Sequence, residues 1–204
     1  RWKKCLQIKI ERGIMIYEFE FEFDYVDLFL EDINEADWPE NQITKEPEGD
    51  VFLHLNPKYH NFFTALSHIF QSLIQEPKCV DCYGNVSGKW SIYFTKTWIT
   101  RLKANNDLPR HVHIPYHFSW CYYLKTEEKE KPLMIEMNAK VYSIQPKPKV
   151  GILFPSHLPH WSKSIDGQDE RIIICGDIIL CRPIDSYGCD GLTDITQWKT
   201  LAYE

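Results

Sequence analysis

The sequence has no excess of basic residues, no long apolar run and no second close pair of cysteines. Its net charge is −6 and the acidic residues are spread along the chain, whereas a general nucleic-acid-binding surface needs a basic face. No apolar run is long enough to span a membrane or to form the hydrophobic part of a secretory signal. We therefore expect neither general nucleic-acid binding nor a membrane span.

The seven cysteines are an odd number, which favours a reducing cytoplasm over a compartment where disulfides form. Cys79 and Cys82 have the CxxC spacing of a zinc knuckle or a redox pair. Cys175, Cys181 and Cys189 are available as further thiolates, but a four-cysteine zinc site normally has a second close pair. We interpret Cys79 and Cys82 as ordinary reduced cysteines, with structural zinc as the alternative.

The composition is that of a folded chain, since 44% of the 204 residues are hydrophobic and 14% are aromatic. Residues 14–23 alternate like a half-buried strand, and residues 60–75 carry apolar side chains at the spacing of an amphipathic helix. Short apolar runs predict six further strands at 90–100, 113–124, 133–137, 140–144, 151–154 and 171–180. We predict one domain over residues 1–204, mainly β with a supporting α-helix. Its jelly-roll core lies at about 84–182, and the strand and helix of residues 1–83 support it.

The segment His111-Val112-His113 places two imidazoles at positions i and i+2. Alternate side chains of an extended strand share a face, so both rings can reach one metal ion. His160 follows a strand-like run and a tight Pro-Ser-His-Leu-Pro segment, from which it could complete the site. The alternative is a pair of histidines near a strand edge without a metal, because H-x-H alone is weak evidence.

Arg171 stands at the head of the apolar run 172–174. A buried arginine needs an anionic partner because an unpaired internal charge is costly. Its donors match a carboxylate at two points, which makes a dicarboxylate cosubstrate the natural candidate. The alternative is a surface ion pair with Asp169, Glu170 or Asp177.

Four motifs in this order resemble those of the iron(II)- and 2-oxoglutarate-dependent oxygenases, most closely an uncharacterised subfamily found in marine bacteria and their phages. The pattern of that subfamily is H-x-H, L-S-G-x-Y-Y-L, F-P-S-x-x-x-H and R-I. The matching segments, with the spacing inside each motif preserved, are His111-Val112-His113, Phe118-Ser119-Trp120-Cys121-Tyr122-Tyr123-Leu124, Phe154-Pro155-Ser156-His157-Leu158-Pro159-His160 and Arg171-Ile172. The resemblance covers about residues 90–180 and implies a double-stranded β-helix.

The resemblance also implies roles for five side chains. His111, His113 and His160 would hold Fe(II). Arg171 would pair with the distal carboxylate of 2-oxoglutarate, and Tyr123 would donate a hydrogen bond to it. The protein would use O2 to convert 2-oxoglutarate to succinate and CO2 while oxidising, usually hydroxylating, a C–H bond of an unidentified substrate. No motif identifies that substrate or sets an oligomeric state, and a phage-encoded protein would work in the host cytoplasm.

Two positions depart from the usual pattern of the superfamily. Residue 113 is a histidine where an aspartate is usual, and three neutral ligands leave the metal its full dipositive charge. We favour His113 as a ligand because imidazole is an accepted ligand type. The alternative is that His113 lies behind the site while water or an acidic side chain binds. Ile173 stands where a small hydroxyl residue often assists cosubstrate binding, so Tyr123 would carry more of that role.

Three further side chains are candidates for the wall of a substrate pocket: His117, Ser119 and His157. His117 and Ser119 lie on the same strand face as His111 only if one strand runs unbroken through Pro115. A proline in the middle of a strand makes such an unbroken strand doubtful. The alternative for both histidines is an ordinary surface or loop position.

Two other functions fit part of the pattern. A cupin-type three-histidine metalloenzyme would not use 2-oxoglutarate, but it often has a glutamate shortly after H-x-H, where His117 and Phe118 stand here. A non-catalytic jelly-roll binding module, with structural zinc or no metal, would leave Arg171 and Tyr123 unexplained.

Overall fold

The computed structural model describes residues 2–11, 14–21, 26–35, 44–45, 52–74, 91–102, 107–126, 131–163, 170–181 and 201–202. These ranges contain two helices, α1 (Val26–Glu35) and α2 (His60–Ile74), with 3-10 turns at Leu53–Leu55 and Pro57–Tyr59 before α2. The strands are β1 (Trp2–Glu11), β2 (Ile14–Phe21), β3 (Thr44–Lys45), β4 (Ser91–Leu102), β5 (Leu108–His111), β6 (Phe118–Lys125), β7 (Leu133–Met137), β8 (Lys140–Ile144), β9 (Val150–Pro155), β10 (His160–Ser162), β11 (Arg171–Cys181) and β12 (Leu201–Ala202). Within these ranges, no helix is long and apolar enough to cross a membrane.

The strands form two antiparallel sheets. The larger sheet has the order β1-β2-β9-β6-β11-β4-β12, with β3 also paired to β4, and the smaller has the order β5-β10-β7-β8. Side chains of both sheets, among them Tyr123, Ile135, Phe154 and Ile173, share one buried cluster. The two sheets therefore pack face to face, and the predicted double-stranded β-helix is confirmed.

Helix α2 covers the other face of the larger sheet. The ring centroid of Phe63 lies 5.4 Å from that of Phe94, and the Phe70 centroid lies 5.7 Å from that of Trp120. Each such side chain contributes about 1.5–3 kcal/mol by leaving water. The Trp120 indole has room because residue 176 of β11 is glycine, where an added Cβ would lie 2.8 Å from the indole. The predicted helix over 60–75 is confirmed with its end at Ile74.

Six of the predicted strands are present in the structure, as β2, β4, β7, β8, β9 and β11. β7 and β8 have the predicted bounds, and the two-residue turn between them holds Asn138 and Ala139 at φ of 52° and 60°. Positive φ at both positions is the type I′ geometry that suits the right-handed twist of a hairpin. Strand β1 is not predicted, and Cys79 and Cys82 lie outside the described residues.

The strand predicted over 113–124 is wrong at its start, because β5 ends at His111 and β6 begins only at Phe118. Pro115 between them has no N–H to donate to a ladder. The chain turns there instead, with the N–H of Tyr116 donating to the carbonyl of His113 at 3.2 Å. His111 and His113 are therefore not alternate residues of one strand.

Candidate functional site

Three histidines from two strands and one loop converge between the sheets. His111 ends β5 directly opposite His160, the first residue of β10, and their ring centroids lie 4.2 Å apart. His113 lies in the loop after β5, where its N–H donates to the carbonyl of Ser156 at 2.9 Å. One ligand atom from each of the three rings lies within 4.8 Å of the other two. This cluster has the dimensions needed to hold one metal ion.

Each of the three rings has its Nδ1 atom against a hydrogen-bond acceptor. His111 and His160 donate from Nδ1 to the carbonyl two residues earlier, at 2.7 and 3.1 Å. His113 donates from Nδ1 to a carboxylate oxygen of Asp177 at 3.0 Å. A neutral imidazole has one N–H, so this pattern leaves Nε2 with the lone pair in each ring. Burial lowers the pKa of His160 to about 3 and also lowers that of His111, which keeps both rings neutral at pH 7.

A cavity of about 320 Å³ has these histidines in its wall. Strands β4, β6 and β11 of the larger sheet and β5, β7 and β10 of the smaller sheet all contribute to it, with an apolar lining that includes Leu102, Leu133 and Ile173. Arg171 lines the same cavity with none of its surface exposed. Its guanidinium donates to the Ser162 hydroxyl at 2.5 Å and to a backbone carbonyl at 2.7 Å, both neutral oxygens.

Of the three acidic residues that are possible surface partners of Arg171, the two described ones pair with other side chains. Glu170 pairs with Arg101 instead, and Asp177 accepts from His113. Asp169 lies outside the described residues. Because Arg171 is fully buried inside an apolar cavity, a carboxylate ligand there would gain the full strength of a charge-assisted contact.

Tyr123 reaches the cavity from β6, where it stands opposite Ile173. Burial raises the pKa of Tyr123 well above its usual value, and its hydroxyl is hydrogen-bonded to Cys121. The phenol therefore stays protonated and remains a donor at neutral pH. Ile173 brings no hydroxyl to the site, whereas Ser162 of β10 places one against the Arg171 guanidinium.

Of the three candidates for a substrate pocket, Ser119 lines this cavity, and its hydroxyl is engaged by Asp177. His117 is buried, and its Nδ1 accepts from the backbone N–H of Leu180 at 3.3 Å. His117 and His157 are not among the residues that line the cavity. The break between β5 and β6 means that His117 does not share a strand face with His111.

Two residues of the site are not predicted from the sequence. The sequence suggests Asp177 only as a surface partner of Arg171, and it does not single out Ser162. Asp177 had a usable signal, since it has the same parity as Arg171 on an otherwise apolar strand. Ser162 has none, because its contact with Arg171 depends on how β10 lies against β11.

The side chains present fit both groups that the sequence resemblance implies. Imidazole nitrogens suit iron as well as zinc, copper and nickel, and the three Nδ1 contacts hold the rings in the ligand form. A buried guanidinium and a protonated tyrosine in the same cavity fit a carboxylate. The donor chemistry is thus compatible with Fe(II) and with 2-oxoglutarate.

No family model and no curated protein sequence matches the chain. Solved structures do match it. An α-ketoglutarate-dependent epimerase, SnoN from nogalamycin biosynthesis, is 8% identical with a TM-score of 0.59, covering 89% of this chain and 86% of the other. The viral collagen prolyl hydroxylase of Paramecium bursaria Chlorella virus-1, in complex with 2-oxoglutarate, is 14% identical with a TM-score of 0.55, covering 80% and 94%. A prolyl-4-hydroxylase of Pseudomonas putida is 13% identical with a TM-score of 0.50, covering 79% and 82%. The chain therefore has the double-stranded β-helix fold of the 2-oxoglutarate-dependent oxygenases.

Proposed function

We propose that this protein is an Fe(II)- and 2-oxoglutarate-dependent dioxygenase that oxidises, most commonly by hydroxylation, a C–H bond of its substrate. The observation that carries the proposal is one largely apolar cavity whose wall holds three converging imidazoles and a fully buried guanidinium. Burying a guanidinium costs several kcal/mol unless anions or hydrogen bonds compensate. An anionic cosubstrate would add charge-assisted contacts to the hydrogen bonds that Arg171 already makes.

In this proposal His111, His113 and His160 hold Fe(II) through Nε2. Their Nδ1 contacts fix each ring in the tautomer that can bind a metal. When bound, Fe(II) and 2-oxoglutarate together supply oxygen activation, with release of succinate and CO2. Three protein ligands leave further coordination positions open for that chemistry.

Arg171 and Tyr123 bind the distal carboxylate of 2-oxoglutarate. The guanidinium offers two parallel donors, and the phenol would add a third when its single O–H turns from Cys121 to the carboxylate. The apolar lining keeps bulk water from these contacts, which strengthens them. Ser162 orients the guanidinium from β10 of the opposite sheet.

The proposal extends to the whole chain as one domain, with the oxygenase core at about residues 84–182 and residues 1–83 as support. The motif resemblance places it nearest the subfamily of marine bacteria and their phages, working in a reducing cytoplasm, which is the host's if a phage encodes it. The structural neighbours include prolyl hydroxylases and an epimerase. The shared fold therefore supports the cofactor pair more than any one substrate.

An anaerobic titration of the purified protein with Fe(II) and 2-oxoglutarate tests the proposal. The chelate should give a weak visible charge-transfer band that neither component gives alone. Arg171→Met should bind Fe(II) normally but need about 100-fold more 2-oxoglutarate, because two charge-assisted hydrogen bonds contribute about 1.5 kcal/mol or more each. Arg101→Met is the matched control, since Arg101 lies on the neighbouring strand and pairs with Glu170 outside the cavity.

Metal binding without the band would refute the 2-oxoglutarate assignment. The all-nitrogen donor set would then favour a cupin-type three-histidine enzyme. Binding of zinc but not of Fe(II), or of no metal, would favour a binding module. Succinate formation in the presence of oxygen then provides the screen for substrates.

A further inference from the structure

Asp177 is a buried carboxylate that lies behind one of the three histidines. It is 1% exposed, on β11, between Lys96 of β4 and Ser119 of β6 in the sheet register. One carboxylate oxygen accepts from Nδ1 of His113 at 3.0 Å, and the other accepts from the Ser119 hydroxyl at 2.7 Å. A carboxylate this deeply buried is costly unless its oxygens are satisfied, and both of them are.

The three histidines do not have equivalent partners. The Nδ1 atoms of His111 and His160 face neutral backbone carbonyls, whereas that of His113 faces the negative charge of Asp177. Trp98 also stacks on His113, with ring centroids 5.6 Å apart and an interplanar angle of 14°. His113 is thus held in its plane by the indole and in its tautomer by the carboxylate.

Position 113 is also where the related oxygenases usually have a carboxylate ligand. Among the described residues, the cluster close enough to bind one ion contains only the three imidazoles, and Asp177 is not part of it. A carboxylate that accepts from Nδ1–H makes Nε2 a more basic ligand and places negative charge one side chain away from the metal. We propose that Asp177 is a positioning residue that fixes His113 as a metal ligand and supplies the charge that a direct carboxylate ligand would bring. This inference rests on the proposed function, because it requires His113 to bind the metal.

Asp177→Asn tests the inference, since the amide keeps the shape and an acceptor oxygen but loses the charge. Co(II) affinity is measured by visible titration, and the Fe(III)/Fe(II) midpoint potential is measured by spectroelectrochemistry. Asp177→Asn should weaken Co(II) binding by about 10- to 100-fold and shift the potential to more positive values. The matched control Asp107→Asn removes an exposed carboxylate that pairs with Lys163 at 3.0 Å and should change neither quantity.

A second measurement on the wild-type protein needs no stable variant. In the ¹⁵N-labelled Zn(II) form, the His113 ring should show a protonated Nδ1 and a metal-bound Nε2. A purely structural role for Asp177 would leave affinity and potential unchanged in Asp177→Asn, which would overturn the inference. Zn(II) bound at Nδ1 of His113, or bound without His113, would overturn it too. If the wild type forms the 2-oxoglutarate chelate but the results expected for Asp177 are not obtained, the inference about Asp177 is refuted and the proposed function stands. If the wild type does not bind metal, both the inference and the proposed function are refuted.

Discussion

His113→Asp would create the two-histidine, one-carboxylate set that is usual in this fold, and we expect it to destabilise the metal-free protein strongly. The oxygens of aspartate branch from Cγ as Nδ1 of histidine does, and Nδ1 of His113 lies 3.0 Å from a carboxylate oxygen of Asp177. The new carboxylate would therefore stand against one that is 1% exposed. Two negative charges about 4 Å apart repel by about 4 kcal/mol at an effective dielectric constant of 20.

Protonation of one carboxyl gives a second route to the same magnitude. Holding a proton at pH 7 on a group whose ordinary pKa is about 3.9 costs about 4 kcal/mol, and the bound proton would restore a hydrogen bond between the two side chains. Because the protein can take either route, about 4 kcal/mol is the expected loss in the free energy of unfolding. For a chain of this size the loss corresponds to a fall of roughly 8–16 °C in Tm.

Urea and thermal unfolding in EDTA would measure this loss relative to wild type at each pH. By pH 5 the proton costs only about 1.5 kcal/mol, so the destabilisation should shrink as pH falls. The double variant with Asp177→Asn should recover most of the loss at pH 7, because only one carboxylate remains. Wild-type stability for His113→Asp at pH 7, or a double variant no more stable than the single one, would refute the reasoning.

Three further predictions concern stability. Gly176→Ala should cost about 1–3 kcal/mol, because its Cβ would lie 2.6 Å from a backbone carbonyl, and an unchanged Tm would contradict the packing described. Ala139→Gly should raise stability by about 1 kcal/mol, because φ at this turn position is 60°; a lower Tm would count against it. In metal-free protein the His160 pKa of about 3, lowered mainly by burial, lies below the unfolded value of about 6.5. As pH falls, the unfolded state therefore binds a proton before the folded state does. The free energy of unfolding should fall by up to about 1.4 kcal/mol per pH unit below pH 6.5. Equal urea midpoints at pH 7.5 and 5.5 would contradict this prediction.

Local periodicity predicted the elements whose burial follows from their own sequence. Helix α2 has its apolar residues at spacings of three and four, and the hairpin β7–β8 has them at a spacing of two. Each element therefore presents one apolar face to the core. The strand predicted from residue 113 failed because Pro115 and the turn at Tyr116 override an apolar pattern. Short strands such as β5 and β10 have too few residues for a period to be visible, and they form because longer neighbours pair with them.

Some residues of the candidate site could likewise be predicted from the sequence, and others could not. His111, His160 and Arg171 were predicted as members of one site, and the structure places all three in the wall of one cavity. The partner of His113 could not be found by spacing, since Asp177 lies 64 positions away and meets it only through the register of β11 against β6. What the sequence did contain was an acidic residue in the middle of a strand of isoleucines. The rule applied to Arg171, that a buried charge needs a partner, applies equally to Asp177.

Charge balance links two residues of β11, Arg171 and Asp177, to the proposed chemistry. Three neutral imidazoles leave the two positive charges of Fe(II) uncompensated, and Arg171 adds one more inside the same cavity. The two negative charges of 2-oxoglutarate match all but one of these, and the carboxylate of Asp177 matches the last. In this proposal the Asp177 carboxylate behind His113 brings the negative charge that a direct aspartate ligand would otherwise supply. Arg171 and Asp177 have the same parity on one strand, which is how a single strand can supply both a cosubstrate anchor and the missing charge.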